Sequence, residues 1–332
     1  MDINIIHNED ALIGLRKLPD NSIDCSISSP PYWGLRDYDV DGQLGNEPDF
    51  TDFISKLTEI YKEVYRVLKP EGTCYVNLGD TYMGGTAGSG GNCGKHIENG
   101  TNKYAKSTKF NNGVKKNKLP NKSLALIPER FAIEMTNNGW ILRNQIIWHK
   151  PNQMPSSAAD RFTVDFEKIF FFVKQSTGYY FEQQLEKAIG YDRRKDITYK
   201  GGNKDVSIGK HQRWKNYKNL QDKGQDPNTM HKRRAEGLPD EIYFKRNTRT
   251  VWSINTKPFS DAHFAVFPET LVERMIKSGC PENGIVLDPF MGAGTTAVTA
   301  KKLNRNYIGY DLNPDYVKIA NNRLYKELGM WL

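Results

Sequence analysis

The chain is poor in cysteine: four among 332 residues, at positions 25, 74, 93 and 280, with no Cys-x-x-Cys pair. That pattern argues against a disulfide framework and against a Cys-based structural zinc site, so no metal is expected. No apolar run approaches the roughly 20 residues that span a bilayer, and no membrane segment is expected. The N-terminus, Met1-Asp2-Ile3-Asn4, lacks a basic stretch followed by an apolar one. A signal peptide is therefore not expected, and a reduced, cytoplasmic setting is. The one glycine-rich turn near the C-terminus has no Lys after its second glycine, which argues against a phosphate-cradling P-loop.

What the chain has in excess is positive charge, unevenly placed. Residues 84–122 carry eight Lys and one Glu, and residues 178–250 carry 17 Lys or Arg against 10 Asp or Glu. Each segment is net +7, against +8 for the whole chain, so the remainder is acidic. Two basic inserts on an acidic core favour a polyanionic partner. Residues 84–122 also hold eight glycines and few apolar side chains. Such a stretch cannot pack a core and is expected to be a mobile loop. Residues 178–250 interleave aromatics (Tyr179, Tyr180, Phe181, Tyr191, Tyr199, Trp214, Tyr217, Tyr243, Phe244) with the basic residues. That mixture suits contact with bases, sugars and phosphates, a solvated surface insertion being the alternative.

Outside the inserts, strand and helix alternate, which predicts a parallel-rich α/β sheet with helices on both faces. Strands are predicted at 3–7, 23–28, 73–78, 140–149, 166–174, 285–288 and 306–311. The 140–149 and 166–174 pair is expected at an antiparallel end of the sheet. Helices are predicted at 11–18, 49–68, 127–137, 269–278, 297–303 and 314–328. The 49–68 helix is the clearest, with Phe50, Phe53, Ile54, Leu57, Ile60, Tyr61, Val64 and Leu68 at helical spacing.

Two motifs carry chemistry. Ser29-Pro30-Pro31-Tyr32-Trp33 follows the apolar strand 23–28. Two prolines fix a stiff turn whose carbonyls cannot rotate away, at the strand end where open α/β sheets build their sites. A hydroxyl, a fixed carbonyl and an aromatic ring there can hold a planar amine; a proline-stopped strand with a buried Tyr is the alternative. The second motif is Asp288-Pro289-Phe290-Met291-Gly292-Ala293-Gly294-Thr295, a strand end and glycine turn in which Thr295 and Thr296 can cap the next helix. Asp311 ends the following strand about 20 residues on, the spacing at which a carboxylate meets ribose hydroxyls.

Together and in this order, the motifs resemble those of the β-class DNA amino-methyltransferases. The resemblance covers both ends of the chain and much of its middle. It implies a Rossmann-like methyltransferase fold with a mixed seven-stranded sheet, circularly permuted so that the catalytic motif precedes the cofactor motif. It implies S-adenosylmethionine (AdoMet) as cofactor and double-stranded DNA as partner, with a cognate restriction endonuclease a candidate partner and a bacterial or phage origin. Residues 1–177 would form the catalytic part, 178–250 the target-recognition insert and 251–332 the AdoMet-binding part. Ser29, Pro30, Pro31 and Tyr32 match the catalytic motif. Asp288, Pro289, Phe290, Gly292, Gly294 and Thr295 match the AdoMet loop, and Asp311 the ribose acid. His263 and Phe264 fall in a segment resembling the one that closes over the methionine end. Ser28 and Asp10 join the cofactor set; Asp10 would meet the adenine amine, a helix N-cap being its other reading.

A Ser at the first motif position mostly accompanies cytosine N4 methylation in the resembled family, with adenine N6 the alternative. No Pro-Cys dipeptide is present, which argues against the covalent route to cytosine C5. Trp33 is read either as a second wall for the base or as a core residue. His149 and His263 are not needed as bases. An NAD-dependent oxidoreductase would share the glycine turn and the acid but leaves Ser29–Tyr32 and the inserts unexplained. A DNA-binding protein without catalysis leaves the complete motif set unexplained.

Overall fold

The computed structural model describes residues 1–35, 40–83, 95–98, 101–104, 119–187, 245–256 and 267–329. The chain divides into two compact units, Met1–Glu182 with Arg249–Leu332, and Gln183–Thr248. In chain order the elements are β1 (Ile5–Asn8), α1 (Ala11–Arg16), β2 (Ile23–Ser28), α2 (Phe50–Val67), β3 (Leu68–Leu78), β4 (Lys95–Glu98), β5 (Thr101–Tyr104) and α3 (Ile127–Asn137). There follow β6 (Ile141–His149), β7 (Phe166–Val173), β8 (Leu185–Lys187), β9 (Lys245–Asn247) and β10 (Val251–Ser253). The last are α4 (Glu269–Gly279), β11 (Ile285–Asp288), α5 (Thr295–Lys302), β12 (Asn306–Asp311) and α6 (Pro314–Leu328). The described part of the smaller unit is the antiparallel pair β8–β9. Most of the two basic inserts lies outside the described residues; the described residues of the 84–122 segment, expected as a loop without structure of its own, include the antiparallel pair β4–β5.

The larger unit is built on a mixed sheet of eight strands in the order β1-β12-β11-β2-β3-β7-β6-β10. That is one strand more than the seven expected. The addition, β10, is a three-residue edge strand, too short for an alternating pattern to announce it. The antiparallel pair expected from 140–149 and 166–174 is β6–β7. The C-terminal strands β11 and β12 lie between β1 and β2, in the middle of a sheet begun by the other end of the chain.

Every other pairing in the sheet is parallel, except that β7 runs against both β3 and β6. The C-terminal ends of β1, β12, β11, β2, β3 and β6 therefore share one edge with the start of β7. Helices α1–α3 cover one face through Leu15, Phe53, Leu57, Tyr61 and Phe131, and α4–α6 the other through Leu271, Met275, Val298 and Leu324. In α2 the apolar stripe buries Phe53, Leu57, Ile60, Tyr61 and Val64 against β3, each worth roughly 1.5–3 kcal/mol. Asp49 caps that helix by accepting the Thr51 N–H at 2.8 Å. The β3 strand starts at Leu68, earlier than Thr73: Leu68 already pairs with Ile23, and the register shifts before Thr73 meets Cys25.

Candidate active site

One cavity of about 310 Å³ opens on the shared strand edge. Ser29, Pro30, Pro31 and Tyr32 line it from the end of β2, and Asp10 from the start of α1. Asp288, Pro289, Phe290, Gly292 and Thr295 line it from the glycine turn, and Asp311 from the end of β12. Residues almost 300 positions apart thus meet because β2 and β11 are neighbours.

The glycine turn is held by two carboxylates. Asp288, buried at the end of β11, accepts the Phe290 N–H at 3.0 Å and the Thr296 hydroxyl at 2.6 Å. Asp311 accepts the Gly292 N–H at 2.7 Å and the Asn313 N–H at 2.9 Å. Burial pushes the Asp311 carboxyl up to about 6 against those N–H bonds. Burial pushes Asp288 up to about 7, and the charge of Asp311 adds to it. Gly292 has φ 53°, and a Cβ there would meet nothing nearer than the Phe290 carbonyl at 4.0 Å. The backbone at that point is open for a ligand to approach. These features fit a nucleoside cofactor: the carboxylate oxygens keep lone pairs for hydroxyls, and the turn presents bare backbone.

Several residues sit otherwise than expected. The N-cap of α5 is Gly294 (φ 77°), with no side-chain cap bond. Thr296 donates to Asp288 instead, and Thr295 Oγ1 accepts from Arg323 at 2.8 Å. Ser28 is fully buried, with its hydroxyl 2.6 Å from the Tyr61 hydroxyl on α2, and does not line the cavity. Strand alternation turns it to the helix-covered face, away from the opening. Trp33 is a core residue: it donates to the Glu47 carbonyl at 2.8 Å and packs edge-on against Phe50. Asp10 caps α1 through the Ile13 N–H at 3.0 Å, as its second reading expects, and it also lines the cavity. His149 bonds to Ser253 and faces Asp165, and is not a cavity residue. His263 and Phe264 lie outside the described residues.

Sequence reasoning missed a polar cluster behind Tyr32. The Tyr32 hydroxyl donates to Glu167 Oε2 at 2.7 Å and accepts from Asn77 Nδ2 at 2.6 Å. Asn77 Nδ2 also donates to Glu167 Oε2 at 2.7 Å, and Lys150 Nζ pairs with Glu167 Oε1. Ser29 Oγ lies 3.4 Å from the same Tyr32 hydroxyl. Gly79 packs so close to the Tyr32 ring that a Cβ there would overlap it. The ring's position is therefore fixed from its hydroxyl end and its edge. The sequence signal was faint: polar residues at the ends of apolar strands, brought together only by the β3–β7–β6 pairing.

An α/β sheet with a glycine turn, a strand-end acid and a Ser-Pro-Pro-Tyr turn on one cavity defines a nucleoside-cofactor transferase of the Rossmann-like methyltransferase class. The family model described as DNA methylase, N6_N4_Mtase, matches residues 23–322, and the chain belongs to that family. It is an AdoMet-dependent DNA amino-methyltransferase. The type II methyltransferase M.Cfr9I of Citrobacter freundii is 37% identical over 318 residues, which span 96% of this chain and 86% of the relative. Among solved structures, a putative DNA modification methylase from Thermus thermophilus, complexed with S-adenosyl-L-methionine, matches with TM-score 0.55 and 20% identity. It covers 98% of this chain and 95% of that one. The PvuII DNA methyltransferase, described as cytosine-N4-specific, matches with TM-score 0.58 and 17% identity over 95% of this chain and 84% of its own. Likenesses at such identity speak to the fold. Among the described residues no His, Cys, Asp and Glu cluster could hold a metal, and no helix is long and apolar enough to cross a membrane.

Proposed function

We propose that the chain methylates N4 of cytosine in duplex DNA, at a flipped-out base, using Ser29, Pro30, Pro31 and Tyr32. The observation that carries this reading is the shared cavity: the Ser-Pro-Pro-Tyr turn and the Gly292–Asp311 turn face one opening. AdoMet, when bound, supplies a methyl group on a sulfonium, ready for in-line displacement. The exocyclic amine is a poor nucleophile because its lone pair is delocalised into the ring. Ser29 Oγ and the Pro30 carbonyl accept its N–H groups, take up charge as the nitrogen becomes tetrahedral, and hold it on line. The Tyr32 ring, fixed by Asn77, Glu167 and Gly79, offers a rigid face for the base. Asp311 is the acceptor for the cofactor's ribose, and Asp10, Pro289, Phe290 and Gly292 complete that subsite; Gly294, expected there too, does not line the cavity and instead packs against Ala320 of α6. Asp288 and Thr295 act one step back, by shaping the turn.

Ser29 supports cytosine over adenine, as does the cytosine-N4-specific description of the PvuII structure. We also read the chain as circularly permuted: β11 and β12 come last yet occupy the sheet's middle. Residues 178–250 would supply target recognition, and a restriction endonuclease would be the natural partner of a relative of type II enzymes. Single-molecule methylome sequencing of DNA from cells expressing the chain reports the base and its context together. N6-methyladenine at a defined site would replace the cytosine reading, and no modified site would remove both. Ser29→Ala is expected to lower methyl transfer by at least tenfold, with AdoMet affinity within a few-fold by calorimetry.

A further inference from the structure

Two groups on the cavity wall have hydrogen-bonding capacity that the fold itself does not use up. Lys150 follows β6, and only 13% of its side chain is exposed. One of its three N–H donors goes to Glu167 Oε1, and the ammonium sits 4.3 Å from the Trp148 ring centroid. Asn77 is 1% exposed, and its Oδ1 has no hydrogen-bond partner among the described residues. The orientation of that amide is fixed: Nδ2 must face the Glu167 carboxylate, which can only accept, so Oδ1 is the unused end. A buried amide oxygen left unpaired costs free energy, which a bound donor would recover. Glu167 is the jig, one oxygen on Lys150 and the other on Asn77 and Tyr32. All of these residues line the same cavity as Ser29.

A donor and an acceptor held by one carboxylate, next to the amine clamp, complement a group that offers an acceptor beside an N–H. We propose that Lys150 and Asn77, positioned by Glu167, read the amidine edge of the target base. Lys150 donates to the ring nitrogen next to the methylated amine, and Asn77 Oδ1 shares with the Pro30 carbonyl the amine N–H on that side, leaving the other N–H to Ser29 Oγ. This rests on the proposed base-flipping reading and extends it to the choice of base. Cytosine carries an acceptor at N3; thymine carries an N–H there, which would face the ammonium with a donor. The cavity thereby rejects thymine by a buried like-with-like clash, without any contact to the duplex.

The test is a protein–DNA double cycle on an oligonucleotide bearing the site that methylome sequencing reports. Lys150→Met keeps the apolar stem and removes the donor; 3-deazacytosine at the target (1-deazaadenine if the modified base is adenine) removes the ring acceptor. Each change alone is expected to lower kcat/KM by about tenfold to a hundredfold, the range for a hydrogen bond to a charged group. Both together should lower it no further than one alone, because they delete the same bond. AdoMet affinity should stay within a factor of two, which certifies that the variant is folded. Additive losses would overturn the assignment. So would full activity of the unaltered enzyme on the deaza base, a result that needs no variant at all. Failure of the unaltered enzyme to methylate any DNA would instead strike the underlying function.

Discussion

Protonation of Asp311 should control AdoMet binding, and the structure sets the size of the effect. Burial holds this carboxyl at about 6 against an ordinary value of 3.8, and Asp288 at about 7. Ribose hydroxyls bond best to the ionised form, so binding should pull the proton off. If only ionised Asp311 binds, the competent fraction is about one half at pH 6 and about one eleventh at pH 5. The apparent Kd should then weaken about tenfold between pH 8 and pH 5, with about half a proton released per AdoMet at pH 6. Isothermal titration in buffers of different ionisation enthalpy measures both. The two acids form a coupled pair, so the titration belongs to the pair as seen by AdoMet. Asp311→Asn should bind more weakly and lose the pH dependence. The sign for stability follows from the same shifts. Both native values are raised, so these carboxyls favour the fold most below pH 3.8 and lose that contribution as pH rises through 6 and 7. The AdoMet-induced rise in Tm should accordingly be larger at pH 8 than at pH 5. A Kd and proton release that do not change from pH 5 to pH 8 would refute the placing of Asp311 against the cofactor.

Other expectations concern the support behind the clamp. Gly79→Ala should displace the Tyr32 ring and lower kcat at least tenfold while AdoMet affinity holds; unchanged kinetics would show that the ring position is not critical. Trp33→Phe removes a buried indole donor from the Glu47 carbonyl. It should cost about 1–3 kcal/mol in chemical denaturation with KM for DNA unchanged. A raised KM with full stability would return Trp33 to the base-contacting wall.

Sequence pattern reached far into this protein because its main elements follow local rules. The α2 stripe from Phe50 to Val67 repeats at helical spacing, and β2 is a short apolar run stopped by Pro30 and Pro31. Gly292, Gly294 and Asp311 mark a turn that needs positive φ and an acid that needs a fixed offset. Local pattern misjudged competition between partners. Thr295 and Thr296 look like helix caps, yet Arg323 and Asp288 take their hydroxyls. Ser28 looks like part of the Ser29 site, yet alternation along β2 sends it to Tyr61.

The sequence by itself determined the alternation of strand and helix, the two turns and the chemistry each can offer. All of these depend on residues a few positions apart, where backbone sterics and side-chain period leave little choice. Only the tertiary structure decided that Ser29 and Gly292 share a cavity, because that depends on β2 pairing with β11 across most of the chain. Only the antiparallel run of β7 between β3 and β6 set Glu167 between Asn77 and Lys150. Strand pairing is a long-range choice made by the whole core, so no local pattern in the chain announces it.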